Sequence, residues 1–162
     1  MSTPRKLLIF GGVALAAFGM LYGLHYAVFV EHQTLERMGG SLAEGFVHAA
    51  NRQMPDAHAG IAGYANTKYD YVRQVDVHSH WIGLGMLMIV LGVVFDSVAF
   101  GQRTQFLLAM AFGLGSFIFP LGVILQTTSH GATYASALAI AGSGLVIVAL
   151  AGIAVGFARQ SA

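Results

Sequence analysis

Four long apolar runs alternate with polar segments along the chain. A helix of about 20 apolar residues crosses the hydrocarbon core of a bilayer, and the runs at 7–30, 81–100, 106–125 and 134–157 are long enough to do so. The pattern predicts an all-α fold, an integral membrane four-helix bundle that forms a single domain over residues 1–162. Between the first two runs lies a longer polar segment, 31–76, which is predicted to face outward.

Helix-start and helix-stop signals subdivide this outward segment. Gly39-Gly40 is expected to end the continuation of the first helix. The SLAE sequence that follows has the capping-box pattern and predicts a short amphipathic helix over about 41–53, ended by Pro55. Residues 56–66 are rich in glycine and alanine and are typical of a loop. TKYD is a second capping-box-like start, which places the start of the next spanning helix near residue 68. The segment therefore predicts a short helical extramembrane cap.

Composition and charge agree with a membrane protein. Only 9% of residues are charged, against about 25% in a typical soluble domain. Arg5, Lys6, Arg103 and Arg159 fall on one side of the predicted bundle, where Asp96 is the sole acid. The positive-inside tendency then places both termini in the cytoplasm. The first run follows a basic start as a signal peptide would, but it continues to residue 30, so we expect an uncleaved first span.

The absence of cysteine narrows the chemistry. It excludes disulfides, thiolate-bound copper or iron–sulfur centres and a covalently attached haem of the C-x-x-C-H type. A net charge of +1 indicates no nucleic-acid partner. No nucleophile and base occur at a characteristic spacing, so the sequence leaves open whether the protein is an enzyme.

Histidine is the chemically distinctive residue. The seven histidines all fall on the outward side of the predicted topology: His25, His32, His48, His58, His78, His80 and His130. Imidazole is the one transition-metal ligand type present in quantity. His25 lies inside the first apolar run, where a polar side chain is costly and is expected to face the bundle interior or a wet cavity. His32 follows two turns later on the same face. His48 and His58 are expected to be surface residues.

The second spanning helix distinguishes its two histidines. If it is helical from residue 68, a stripe at steps of three and four includes Arg73, Asp76 and His80. His80 is therefore expected to face the bundle, whereas His78 is rotated by about 200° and is expected at the rim. Glu31 beside His32, and Asp76 one turn before His80, are candidate acceptors for the second ring proton of a ligating imidazole.

The sequence HSHWIGLG, His78 to Gly85, resembles the H-x-H-x-x-x-L-G signature of short bacterial membrane proteins related to subunit I of haem–copper oxidases and nitric oxide reductases. In that superfamily a histidine at the outer end of a helix is an axial ligand of a b-type haem. The resemblance implies such a role for His80 or His78, and a location in the bacterial cytoplasmic (inner) membrane. It implies no oxygen or nitric oxide reduction, because the full-length relatives use about twelve spans for that chemistry.

These observations favour a small haem b protein for electron transfer, a subunit of a larger respiratory or oxidative complex. The expected axial pair is His80 with His25 or His130. Its partners would be other membrane subunits or a second copy, with a quinone or an external carrier exchanging electrons. A second hypothesis is a copper or zinc site, for metal delivery or catalysis, made by His25, His32, His78, His80 and His130. A third is an accessory subunit without a cofactor.

Overall fold

The computed structural model describes residues 1–128 and 132–160, and every regular element within them is helical. The α-helices are α1 (Thr3–Phe29), α2 (Glu31–Ala50), α3 (Met54–Val94), α4 (Gln102–Thr128) and α5 (Thr133–Gln160). A 3-10 turn, Phe95–Ser97, follows α3. The all-α prediction is confirmed: α1, α3, α4 and α5 are long and apolar enough to cross a membrane, and each contains most of one predicted run.

The segment between the first two runs differs from its prediction. α2 passes through Gly39 and Gly40 without a break, and α3 begins at Met54, so the expected loop over 56–66 is helical. Pro55 begins a helix here, because proline is tolerated in a first turn where its missing N–H has no helical partner. The second spanning helix therefore starts 14 residues before the predicted position.

Small residues explain why the glycine- and alanine-rich segment is helical. It packs tightly on α2: a Cβ added to Gly60 would lie only 2.8 Å from the Gly45 backbone and 2.9 Å from the carbonyl oxygen of Ser41. Ala57 is buried in the same contact. Tertiary packing of this kind overrides the weak helix propensity of glycine.

One residue separates α1 from α2. Val30 has φ −123° and ψ −41°, outside the helical range, yet its N–H still donates to the Tyr26 carbonyl at 2.9 Å. The Thr34 N–H in turn donates to the Val30 carbonyl at 3.1 Å. The two helices therefore form a jointed rod, which turns back at residues 51–53 into α3. Arg52 in this turn has a left-handed φ of 60°.

Glycines set the close contact between α1 and α3, which run antiparallel. A Cβ on Gly12 would lie 2.6 Å from the Gly85 carbonyl oxygen, and a Cβ on Gly19 would lie 2.9 Å from the Cβ of Trp81. Such close backbone approach is typical of helix packing in membranes, where small residues line the contact. Trp81 and Leu8 are among the large side chains buried in the core.

α4 and α5 form a second antiparallel hairpin, and glycines again allow their backbones to approach closely. A Cβ on Gly122 would lie 2.4 Å from the Ala139 nitrogen, and a Cβ on Gly142 would lie 2.4 Å from the Phe119 nitrogen. α4 also packs on α1 and α3. Within the described ranges α5 contacts α4 and the 3-10 turn but neither α1 nor α3. One flank of α3 beside α4 is consequently uncovered.

The α1–α3 hairpin is longer than the α4–α5 hairpin. The Gln74 side chain donates to Thr127 Oγ1 at 3.1 Å, which sets the end of α4 level with Gln74. At about 1.5 Å per residue, the part of α3 before Gln74 extends about 30 Å further. We call this extension, α2 with the start of α3 over residues 31–73, the α2–α3 arm.

Candidate functional site

The histidines of α1 and α2 point away from the helix contacts. His25 is exposed, and its ring lies 5.4 Å from that of Phe29 on the same helix. The side chain of His32 is 82% exposed, and its Nε2 lies 3.0 Å from Glu36. The expectation that both face the interior is wrong. The contact face of α1 carries Gly19 and Gly23, and His25, two residues after Gly23, is rotated about 200° from it.

His78 is not at the rim, contrary to the prediction. Its ring packs on α1, where a Cβ on Gly23 would lie 3.0 Å from the ring. Its Nδ1 lies 3.3 Å from the backbone oxygen of Gln74. His78 therefore belongs to the contact between α1 and α3, and the absence of a side chain at Gly23 makes room for it.

His80 lies on another side of α3, against α4. Its ring meets the ring of Phe119 edge-on, with centroids 4.8 Å apart. Its Nδ1 lies 2.6 Å from the backbone oxygen of Asp76. Because a carbonyl oxygen only accepts, Nδ1 carries the proton, and the lone pair is on Nε2. The backbone of Asp76, and not its predicted carboxylate, therefore orients this imidazole.

His80 faces the uncovered flank of α3. A groove of about 340 Å³ beside it is lined by Ser79, Gly83, Leu84 and Leu87. A Cβ on Gly83 would have nothing within 4 Å. The predicted stripe is therefore one face of α3, but it faces an open groove and not a closed bundle interior.

A second groove continues the same face toward the arm. It has a volume of about 610 Å³, and among its lining residues are Lys68, Tyr69, Arg73 and Asp76. The Arg73 guanidinium stacks over the Tyr69 ring at 4.7 Å from its centroid. The face thus carries two cations, one carboxylate and two tyrosines on the arm side of His80 and is apolar on the other side.

A polar network that the sequence reasoning missed joins three helices close to His78. The Tyr22 hydroxyl of α1 donates to Gln74 Oε1 of α3, and Gln74 Nε2 donates to Thr127 of α4. The ring of Trp81 lies edge-on to Tyr22, with centroids 5.4 Å apart. The sequence contains one sign of this network: Gln74, His78 and Trp81 follow one another at steps of four and three. This spacing places all three on one face of α3.

The other polar side chains near the histidines have partners of their own. Glu31, a predicted acceptor for His32, accepts a hydrogen bond from the Tyr71 hydroxyl at 3.0 Å and so links α2 to α3. His48 Nδ1 lies 2.7 Å from Gln53 Oε1 at the turn between α2 and α3. His58 is exposed, as expected of a surface residue.

The predicted ligand set is not gathered at one point. His130 lies outside the described residues. Across residues 1–128 and 132–160 there is no group of three or more histidines, aspartates and glutamates that could hold a metal ion. His25, His32, His78 and His80 have different neighbours: Phe29, Glu36, α1 and Phe119. Of the four, His80 combines an oriented ring with an adjoining groove.

Comparison of the chain with protein-family models, with curated proteins and with solved structures finds no match.

Proposed function

We propose that the protein is a small b-type haem protein of the bacterial cytoplasmic membrane that transfers electrons, with His80 as an axial ligand. The observation that carries the proposal is the state of the His80 ring. Its Nδ1 proton is held by the Asp76 carbonyl at 2.6 Å, which leaves the Nε2 lone pair available beside an open groove. Histidines that bind metal commonly use this second hydrogen bond to fix the ring and raise its basicity.

The groove has the chemistry that a haem requires. Gly83, Leu84 and Leu87 offer a small residue and apolar walls to the macrocycle. On the same face, Lys68 and Arg73 offer cations to its two carboxylates. When bound, a haem supplies reversible one-electron transfer at iron, and the protein tunes the potential through the ligand, its hydrogen bonds and burial.

His130 is our proposed second axial ligand. His25 does not suit the role, because it is exposed on α1 and stacks on its own helix. His130 follows the end of α4, and the hydrogen bond of Thr127 to Gln74 sets that end less than two turns of α3 from His80.

The proposed orientation places both termini in the cytoplasm and the α2–α3 arm outside the membrane as an extramembrane cap. All seven histidines then lie on the outer side, so the chain has no histidine ligand for a second haem in the inner half. Electrons would enter and leave on the outer side, or pass to a quinone, an external carrier or a partner subunit. A copper or zinc site has less support, because the four described candidate histidines do not converge.

An absorption spectrum of the purified protein with metal analysis tests the proposal. We expect a Soret band and about one iron per chain. His80→Ala and His130→Ala should each lose or shift the band, because an axial nitrogen is removed. His48→Ala is the matched control, since His48 bonds to Gln53 at the far end of α2 and should leave the spectrum unchanged.

Size-exclusion elution and circular dichroism of the His80→Ala protein separate loss of haem from loss of fold. A wild-type protein with neither a Soret band nor bound metal would favour the accessory subunit without a cofactor. An unchanged spectrum in folded His80→Ala would remove His80 from the site.

A further inference from the structure

A lengthwise groove runs between α1 and α4, which begin at the same end of the molecule. One part, of about 350 Å³, lies between residues 7–18 of α1 and 109–117 of α4, with Met88 behind it, and its lining is apolar. The other part, of about 480 Å³, continues toward the start of both helices and is lined by Thr3, Pro4, Gln102, Arg103, Phe106 and Leu107. The groove is therefore apolar along its length and polar at one end.

Two glycines create the apolar part. A Cβ on Gly11 would lie 3.1 Å from the Met88 methyl carbon, and a Cβ on Gly113 would lie 3.4 Å from the same atom. Apart from the backbone of its own helix and its chain neighbours, no other described atom comes within 4 Å of either position. The glycines thus leave a slot whose floor is the flexible end of Met88, which is a surface suited to an extended hydrocarbon chain.

The polar end carries uncompensated positive charge. Asp96 accepts hydrogen bonds from Ser2 Oγ at 2.6 Å and from Arg5 Nη1 at 2.9 Å, so it neutralises Arg5. Arg103 forms no ion pair with any residue in the described parts of the chain. α1 and α4 also begin here, and the N-terminal end of a helix carries a partial positive charge.

The distance from the polar end of the groove to the glycine slot matches the thickness of the hydrocarbon in one leaflet. Arg103 and Gly113 are ten residues apart on α4, or about 15 Å along its axis. Half of the hydrocarbon core of a bilayer is also about 15 Å. A lipid with its phosphate beside Arg103 would thus reach the two glycines with its acyl chain.

We propose that the groove between α1 and α4 binds one anionic phospholipid, with its phosphate at Arg103 and an acyl chain in the slot between Gly11 and Gly113. The bound lipid would join the α1–α3 hairpin to the α4–α5 hairpin along a line where protein side chains leave a gap. This site is separate from the groove of His80 and does not depend on haem.

Lipid binding to the detergent-purified full chain, measured by native mass spectrometry, tests the proposal. The probes are dioleoylphosphatidylglycerol, which is anionic, and dioleoylphosphatidylcholine, which has the same chains but no net charge. We expect one tight site with about five-fold preference for the anionic lipid, the effect of about one basic residue at an anionic surface. Arg103→Gln should remove the preference, and Gly113→Leu should weaken binding of both lipids.

Two controls match these changes. Arg159→Gln removes a cation from the same end of the molecule, where Arg159 stacks on Phe100 at 5.2 Å, and Gly144→Leu adds a side chain where nothing lies within 4 Å. Both should bind like wild type. Ala14→Leu fills the slot from α1 and replaces Gly113→Leu if that variant elutes as an aggregate. Unchanged preference in Arg103→Gln, or wild-type binding in the slot-filling variants, would overturn the proposal.

Discussion

Gln74 connects the two helical hairpins through hydrogen bonds to Tyr22 of α1 and Thr127 of α4. It accepts from the Tyr22 hydroxyl and donates to Thr127, so both ends of its amide are used. Its own backbone oxygen lies 3.3 Å from His78 Nδ1. A polar residue placed in this way fixes the register of three helices at once, because each partner lies on a different helix.

Gln74→Ala should lower the free energy of unfolding by about 1 kcal/mol. The change removes the acceptor of the half-buried Tyr22 hydroxyl and the donor to Thr127 Oγ1, which keeps its own hydrogen bond to the Ile124 carbonyl. Hydrogen bonds between membrane helices contribute about 0.6 to 1.7 kcal/mol. Denaturant titration in detergent measures the effect. Gln33→Ala is the control, since Gln33 is exposed on α2, and it should change the free energy by less than about 0.5 kcal/mol. Equal effects would show that the network contributes no stability.

At this scale the sequence could predict that His80 and His78 differ, but not what each contacts. The periodicity of α3 predicts that the two rings lie on different sides of the helix, and they do. It cannot show that Gly23 leaves space for His78 on α1, because a glycine is informative only once its partner across the contact is known. The expectation for His25 is wrong for the same reason. Its depth in the apolar run predicts burial, but the glycines of α1 determine which face of the helix packs on α3.

In each hairpin some glycines lie in the contact between the helices, and others have no neighbour across it. In α5, Gly142 lies against the backbone of Phe119, whereas Gly144, two residues later, has nothing within 4 Å of its Cβ position. The two glycines therefore have different roles on one helix: Gly142 permits contact with α4, and Gly144 does not touch it.

Gly142→Ala should destabilise the protein by about 1 to 3 kcal/mol, the usual cost of overpacking. The new methyl would lie 2.4 Å from the Phe119 nitrogen, and a helix backbone cannot yield as a side chain can. Gly144→Ala should be neutral or stabilise by up to about 1 kcal/mol, because alanine is the better helix former. Thermal unfolding of both variants in the same detergent provides the comparison. A similar loss in the two would mean that α4 and α5 do not pack as described.

Element boundaries were predictable for the apolar runs and not for the segment between them. Spanning helices are specified by composition over some 20 residues. Gly39-Gly40 and Pro55 are local helix-breaking signals. Packing against a partner helix can stabilise a helix despite such signals. The contact between Gly45 and Gly60 is an example: it makes a helix of a sequence that is typical of a loop.

Over the whole molecule, a long hairpin stands beside a shorter one. The long one comprises α1, α2 and α3, and the shorter one comprises α4 and α5. Under the proposed orientation, only the α2–α3 arm leaves the membrane, with its turn at residues 51–53 furthest from the bilayer. The acidic residues are concentrated in and next to this arm, since six of the seven lie in residues 31–76.

Cysteine labelling tests this orientation directly, because the chain contains no cysteine of its own. Ala50→Cys at the tip of the arm should react with a membrane-impermeant maleimide in intact spheroplasts. Gln102→Cys, at the start of α4, should react only after permeabilisation. Both positions are exposed and should label alike in detergent, which controls for reactivity. Reaction of Gln102→Cys alone in intact spheroplasts would reverse the assigned topology.

The two sides of the arm differ in how they connect to the spanning helices. One side is jointed at Val30, whereas α3 is an unbroken rod from Met54 to Val94 and carries His80 two thirds of the way along. Because α3 is continuous, the turn at residues 51–53 and His80 are joined by one helix and lie some 40 Å apart along its axis.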